Sequence, residues 1–143
     1  LSHAHGNAMV AVAQGREVGV DLEMIREDVE ALKLAERFFS DREQLHVRST
    51  APESRSREFF HYWVAKEAVL KAEGVGLASL QACEIDWSSG SDRDGVPVRL
   101  AGHSQPPWVV RTLDCGPGWV GAVAAHGADW TINPCNPCAA ARD

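Results

Sequence analysis

Val18, Val20 and Leu22 alternate with Gly19, Asp21 and Glu23. A period of two marks a β-strand with distinct faces, so this stretch predicts three aliphatic side chains on one side and two carboxylates on the other. Upstream, Met9 to Ala13 is a short apolar run that reads as a buried strand, joined to the first by a turn at Gln14-Gly15-Arg16. The period then changes. Val29, Leu32, Ala35 and Phe39 recur at helical spacing, which predicts a helix over 28–39 with Asp28 as its N-cap. Ser40-Asp41-Arg42-Glu43 has the form of a capping box and opens a second, short helix. Thr50 to Ser56 is polar and holds a proline, so it reads as a loop. The longest helical pattern runs from about Arg57 to Glu73, carries Phe59, Phe60, Trp63, Val69 and Leu70, and stops at Gly74.

Four strand-like runs follow, at Cys83 to Trp87, Val96 to Leu100, Trp108 to Leu113 and Trp119 to Ala125, separated by turns rich in Gly, Ser, Asp and Pro. From Gly127 the periodicity fades, which predicts a loose tail over 127–143 behind one folded unit over 1–126. Strands, then helices, then a cluster of strands make an α+β chain in which an antiparallel sheet packs against one long helix.

Composition narrows the function classes. The chain has 143 residues, of which 45% are apolar and 24% charged, ordinary values for a single globular domain. No apolar run approaches the ~18 residues of a membrane span, and no basic start leads into an apolar stretch, so neither a membrane protein nor a secretory signal is expected. A cytoplasmic protein is the expectation. The chain begins with Leu rather than Met, as a processed chain or a piece of a longer one would. The net charge of −6 argues against nucleic-acid binding by bulk charge. The charge is uneven: residues 33–57 carry six basic and four acidic side chains, net +2, so the remainder carries −8. That stretch is either a solvated helix surface or a face that steers an acidic partner, with Arg42, Arg48 and Arg55 as its candidate contacts. Cys83 and Cys115 lie in apolar runs and read as core residues, while Cys135 and Cys138 form a lone CxxC in the tail with no second pair of ligands to complete a zinc site.

Three groups could carry chemistry. Asp21 and Glu23 share one strand face, where like charges repel unless a cation lies between them. A hard divalent ion such as Mg²⁺ takes oxygen ligands and would answer that repulsion, and a solvated strand face is the plain alternative. On the long helix Trp63, Glu67 and Lys71 are successive i, i+4 neighbours. Glu67 and Lys71 could be an ordinary helix salt bridge, or Glu67 could complete a carboxylate cage with Asp21 and Glu23 while Lys71 neutralises a phosphate. Ser2 and His3 precede the first strand, where a hydroxyl beside an imidazole can hold a phosphate or simply lie on a surface loop. Gly74-Val75-Gly76 is too short for a phosphate cradle and reads as the helix stop.

The order and spacing of Leu1-Ser2-His3, Gly19-Val20-Asp21-Leu22-Glu23, Ala35-Glu36-Arg37-Phe38-Phe39-Ser40 and Trp63-Val64-Ala65-Lys66-Glu67-Ala68-Val69-Leu70-Lys71 resemble the 4′-phosphopantetheinyl transferases, in particular the larger pseudodimeric type that activates peptide and polyketide synthetases. The resemblance covers about residues 1–125. It implies the transferase fold and the Mg²⁺-dependent transfer of phosphopantetheine from coenzyme A to a serine hydroxyl of an acyl or peptidyl carrier protein, with release of 3′,5′-ADP. It also implies roles. Asp21 and Glu23 match the metal-binding pair. Glu67 matches a carboxylate that contacts the metal and helps deprotonate the serine. Lys71 matches a lysine on the coenzyme A phosphates, and Ser2 and His3 match residues that hold those phosphates. Lys66 matches the lysine of the Lys-Glu dipeptide and is counted with the coenzyme-binding group.

The pseudodimeric enzymes are about twice a single lobe, so the chain is expected to be their C-terminal lobe, whose uncovered face would favour self-association. Val18, Val20 and Leu22 are the candidates for that face. Two other readings stay open: a non-catalytic lobe that binds only metal or carrier protein, and an unrelated Mg²⁺-dependent phosphohydrolase built on Asp21, Glu23 and Glu67.

Overall fold

The structure is a computed structural model that describes residues 1–89, 94–102 and 107–135. The alternating segment is a strand, β3 (Val18–Met24), and it lies at the edge of a five-stranded antiparallel sheet. Its neighbours follow in the order β3, β7 (Trp119–His126), β6 (Trp108–Leu113), β5 (Val96–Leu100), β4 (Cys83–Ile85). β3 and β7 pair over seven positions, from Val18 opposite Ala125 to Met24 opposite Trp119. The period of two therefore holds as expected, and the α+β architecture with a long helix on an antiparallel sheet is what forms.

The long helix, α3 (Arg55–Glu73), lies across β3 and β7. It is buried on several sides, because α1 (Ala31–Phe38) and α2 (Asp41–Ser49) cover it from the other flank. Its approach to β3 depends on one small residue. A Cβ on Gly19 would stand 1.9 Å from the Ala68 carbonyl oxygen and 2.6 Å from the Ala72 nitrogen, so only glycine lets strand and helix meet there. Ala122 and Ala124 on β7 keep the rest of that contact thin. The close approach brings Asp21, two residues along β3 on the same face, beside Lys71, one turn along α3.

Several boundaries differ from those the sequence suggests. α1 starts at Ala31, and Asp28 does not cap it; the Ala31 amide instead bonds the Val29 carbonyl at 2.9 Å, so a turn precedes the helix. The capping box at Ser40 is formed: the Ser40 amide donates to Glu43 Oε2 at 2.9 Å, and the Glu43 amide donates to Ser40 Oγ at 3.4 Å. α3 begins at Arg55 rather than Arg57, after a short helical turn at Pro52–Ser54.

The expected strand over 9–13 is the largest departure. A hairpin of β1 (Ser2–Ala4) and β2 (Asn7–Met9) forms, closed by the two-residue turn His5-Gly6. Met9 pairs with Ser2. Val10 to Ala13 continues unpaired, with Val10 67% and Val12 89% exposed. The hairpin packs on β3, and the Leu22 amide at the free edge of β3 donates to Ser2 Oγ at 3.2 Å.

Past β7 the first residues of the expected tail make contacts with the folded unit. Arg16 Nη1 donates to the His126 carbonyl and to Asp129 Oδ1, both at 2.9 Å. The Arg111 guanidinium stands 4.2 Å from the centre of the Trp130 ring, and Trp130 Nε1 donates to the Gly127 carbonyl at 2.7 Å. Of the three residues expected on an uncovered face, Val20 and Leu22 are 2% and 5% exposed and Val18 is half-buried. Cys83, Cys115 and Cys135 are free thiols, and Cys138 lies outside the described residues. No helix among the described residues is long and apolar enough to cross a membrane.

Candidate active site

Asp21 is 4% exposed, yet only half of its carboxylate is satisfied. Oδ1 accepts from Ser2 Oγ at 2.8 Å and from Lys71 Nζ at 2.7 Å. Oδ2 is buried with no hydrogen-bond partner, and so is Oε1 of Glu67. A buried oxygen without a partner costs about 1–3 kcal/mol, more if charged, and here two of them lie on neighbouring carboxylates.

Electrostatics joins these groups to Glu23. Burial raises the pKa of Glu23, the Asp21 charge raises it further, and Arg26, His5 and Lys71 pull it back. Glu67 is raised chiefly by burial, then by Asp21, with Lys71 opposing and Glu23 adding. Glu23 and Glu67 thus both feel the Asp21 charge, as the shared strand face and the helix turn above it require. Among the described residues no three His, Cys, Asp or Glu side chains converge as a ready-made metal cage. Lys71 supplies the positive charge instead: its ammonium goes to Asp21, not to Glu67 one helical turn away. The ordinary i, i+4 helix pair is not the arrangement adopted. A hard divalent cation fits the donor set, since all three groups offer carboxylate oxygens and two of those oxygens lack a partner. Asp21, Glu23 and Glu67 would hold it.

The remaining candidates divide. Ser2 is buried and positions Asp21; His3, next to it, is exposed toward solvent. Lys66 is not brought to the cluster. It is fully buried, and its ammonium pairs with Glu43 and lies 5.0 Å from the centre of the Phe39 ring. Glu43 also accepts from the Ile85 amide at 2.8 Å, so this pair ties α2, α3 and β4 together. The basic stretch is largely answered within the chain. Arg42 stands 3.8 Å from Glu84 and 3.7 Å from Asp86, Arg48 stands 3.6 Å from Glu36, and Arg55 donates to the carbonyls of Arg48 and Thr50 at the end of α2.

Two residues near the cluster were not singled out from sequence, His5 and Arg26. Arg26 follows β3 and lies 5.5 Å from the centre of the Phe60 ring, and His5 closes the β1–β2 hairpin. Their only signal in the sequence is proximity to the Ser-His and Asp-x-Glu stretches.

Comparison with known proteins agrees with this geometry. The 4′-phosphopantetheinyl transferase superfamily profile matches residues 17–124, which hold β3, α3 and all three carboxylates. The chain is similar to the 4′-phosphopantetheinyl transferase HetI of Nostoc sp., 38% identical over 130 residues, covering 91% of this chain and 52% of that protein. It is likewise similar to the 4′-phosphopantetheinyl transferases ffp and Sfp of Bacillus subtilis, at 32% and 29% identity over 132 residues, covering 91% of this chain and 55% of each. The chain spans about half the length of these curated relatives. With the matched stretch running through strand, long helix and acidic cluster alike, the chain belongs to the 4′-phosphopantetheinyl transferase superfamily.

Proposed function

We propose that this chain is a catalytic lobe that moves the 4′-phosphopantetheine group of coenzyme A onto a serine hydroxyl of an acyl or peptidyl carrier protein and releases 3′,5′-ADP. The observation that carries the reading is the pair of partnerless buried oxygens, Asp21 Oδ2 and Glu67 Oε1, beside Lys71. Phosphoryl transfer depends on positioning and charge neutralisation more than on covalent help, and an acidic cluster with one movable ammonium supplies both. Mg²⁺ bound by Asp21, Glu23 and Glu67 would neutralise charge on the diphosphate.

The chain's own groups account for the rest. In the transfer the serine oxygen bonds to the β-phosphorus, the bond from that phosphorus to the 3′,5′-ADP oxygen breaks, and the serine proton leaves for a base. Glu67 suits that role, because burial and the Asp21 charge raise its proton affinity above that of a free glutamate. Lys71 has a side chain 37% exposed, so it can leave Asp21 for a phosphate oxygen. Ser2 keeps Asp21 oriented through its 2.8 Å hydrogen bond, and exposed His3 is available to the coenzyme's phosphates. Free thiols at Cys83, Cys115 and Cys135 suit a reducing compartment such as the cytoplasm.

The test is the intact mass of a purified apo carrier protein after incubation with the chain, coenzyme A and Mg²⁺. Gain of one phosphopantetheinyl group, absent with Glu67→Gln, supports the reading. An unmodified carrier with no nucleotide released overturns it for this chain in favour of a non-catalytic lobe. Release of 3′,5′-ADP without carrier modification points to a hydrolase.

A further inference from the structure

Among the described residues two donors reach the Asp21 side chain, and both land on Oδ1: Ser2 Oγ at 2.8 Å and Lys71 Nζ at 2.7 Å. A carboxylate oxygen accepts about two hydrogen bonds, so Oδ1 is filled while Oδ2 is buried without a partner. The two donors differ in freedom. Ser2 is 5% exposed, and its hydroxyl also accepts from the Leu22 amide at 3.2 Å, so its one proton is committed to Asp21 from a fixed place. Lys71 reaches Asp21 from another element, α3, on a long stem whose side chain is 37% exposed. Of the two, the ammonium is the one that can leave without unmaking the strand edge.

The Lys71 charge reaches the whole cluster. It is in contact with Asp21, and it is among the charges that favour the ionised forms of Glu23 and Glu67. Lys71 is therefore a cation that these carboxylates hold from within the chain. A divalent ion drawn to the same oxygens meets a like charge already in hydrogen-bond contact with Asp21. In a part-buried place that repulsion is screened far less than in water. The two cations compete for one set of carboxylates.

We propose that Lys71 is the resident cation of the acidic cluster: its ammonium competes with a divalent cation for Asp21, and it is released toward the diphosphate of coenzyme A when that cation binds. This rests on the reading that Asp21, Glu23 and Glu67 hold such a cation. The consequence is a binding order, cation before coenzyme. Lys71 held on Asp21 is withheld from phosphate, and Lys71 displaced from Asp21 is free to meet it. By linkage, cation and phosphate each favour the binding of the other.

The experiment titrates Mn²⁺ into the full chain at neutral pH, with no substrate present, and reads free Mn²⁺ by electron paramagnetic resonance. Lys71→Met keeps the length of the side chain and removes its charge, whereas Lys71→Arg keeps the charge. The expected result is Mn²⁺ binding about tenfold tighter in Lys71→Met, the low end for a hydrogen bond to a charged group because the pair is part-exposed, and no tighter in Lys71→Arg. A second measurement needs no variant. Acetylation of Lys71 by acetic anhydride in the wild type, read by peptide mass spectrometry, should quicken when Mg²⁺ is added, with exposed Lys33 as the reference. Unchanged or weaker Mn²⁺ binding in Lys71→Met, equal tightening in Lys71→Arg, or a Lys71 acetylation rate that Mg²⁺ leaves alone overturns the proposal. The cation reading still stands in those cases if the wild type binds Mn²⁺ and Glu67→Gln does not. A chain that binds no Mn²⁺ as wild type or as Lys71→Met overturns both.

Discussion

Helix α3 carries two lysines five residues apart, and each ends on a buried carboxylate from another element. Lys66 and Glu43 form a closed pair. Both are essentially without solvent exposure, and the Glu43 oxygens are shared among Lys66, the Ser40 amide and the Ile85 amide. Lys71 and Asp21 form an open pair. Lys71 is part-exposed, Asp21 Oδ2 has no partner, and Glu67 Oε1 nearby has none. Burial of the carboxylate is alike in the two pairs, and the number of unfilled oxygens is what separates them. A closed pair holds elements together, whereas an open one can exchange its cation for another.

The contrast breaks most visibly at the closed pair. Lys66→Ala leaves Glu43 buried with its countercharge gone, which should cost about 3–5 kcal/mol and lower the melting temperature sharply. Lys71→Ala, at the part-exposed end of its pair, should cost far less stability while lowering transfer activity. Thermal melts of the two variants side by side check this, and equal destabilisation would erase the distinction.

Glu67→Gln keeps the shape and removes basicity and charge. Loss of a general base typically costs 10²–10⁴-fold in rate, so kcat for carrier modification should fall by about that much with little change in melting. Gly19→Ala addresses how the open pair comes to exist. Its methyl would clash with backbone atoms of α3, which cannot swing aside as a side chain can, so destabilisation of at least the ~1–3 kcal/mol typical of overpacking is expected. Denaturant unfolding measures it.

The smallest effect is on pH dependence. Glu23 and Glu67 hold protons more tightly folded than unfolded, because burial and Asp21 oppose their ionisation. The folded state then binds more protons as pH rises through the ordinary glutamate range, so their contribution is favourable below that range and is lost above it. Without divalent cations, Glu23→Gln and Glu67→Gln should each stabilise the chain at neutral pH, and the gain should vanish in acid. Melts across pH check the sign, and a stabilisation that grows in acid would contradict it.

Much of this was legible in the sequence. The alternation around Asp21 and Glu23 set the strand and its carboxylate face, and the capping box at Ser40 formed as spelled. Helical spacing put Lys71 on the face of Glu67 and Lys66 on another, but it could not name their partners; only the fold decides that one meets Glu43 and the other Asp21. Nor could it see that Val10 to Ala13, apolar as they are, would lie outside any strand with Val10 and Val12 exposed. Residues 127–130 lack periodicity, yet Trp130 is held there, because cation–π and main-chain contacts leave no periodic trace.

The most direct test of the account is the melting temperature of the chain with and without millimolar Mg²⁺, in the wild type, Asp21→Asn and Glu67→Gln. A ligand that binds only the folded state raises the melting temperature. The open cluster predicts a rise in the wild type that disappears in both variants. No rise in the wild type, or an equal rise in all three, would contradict it.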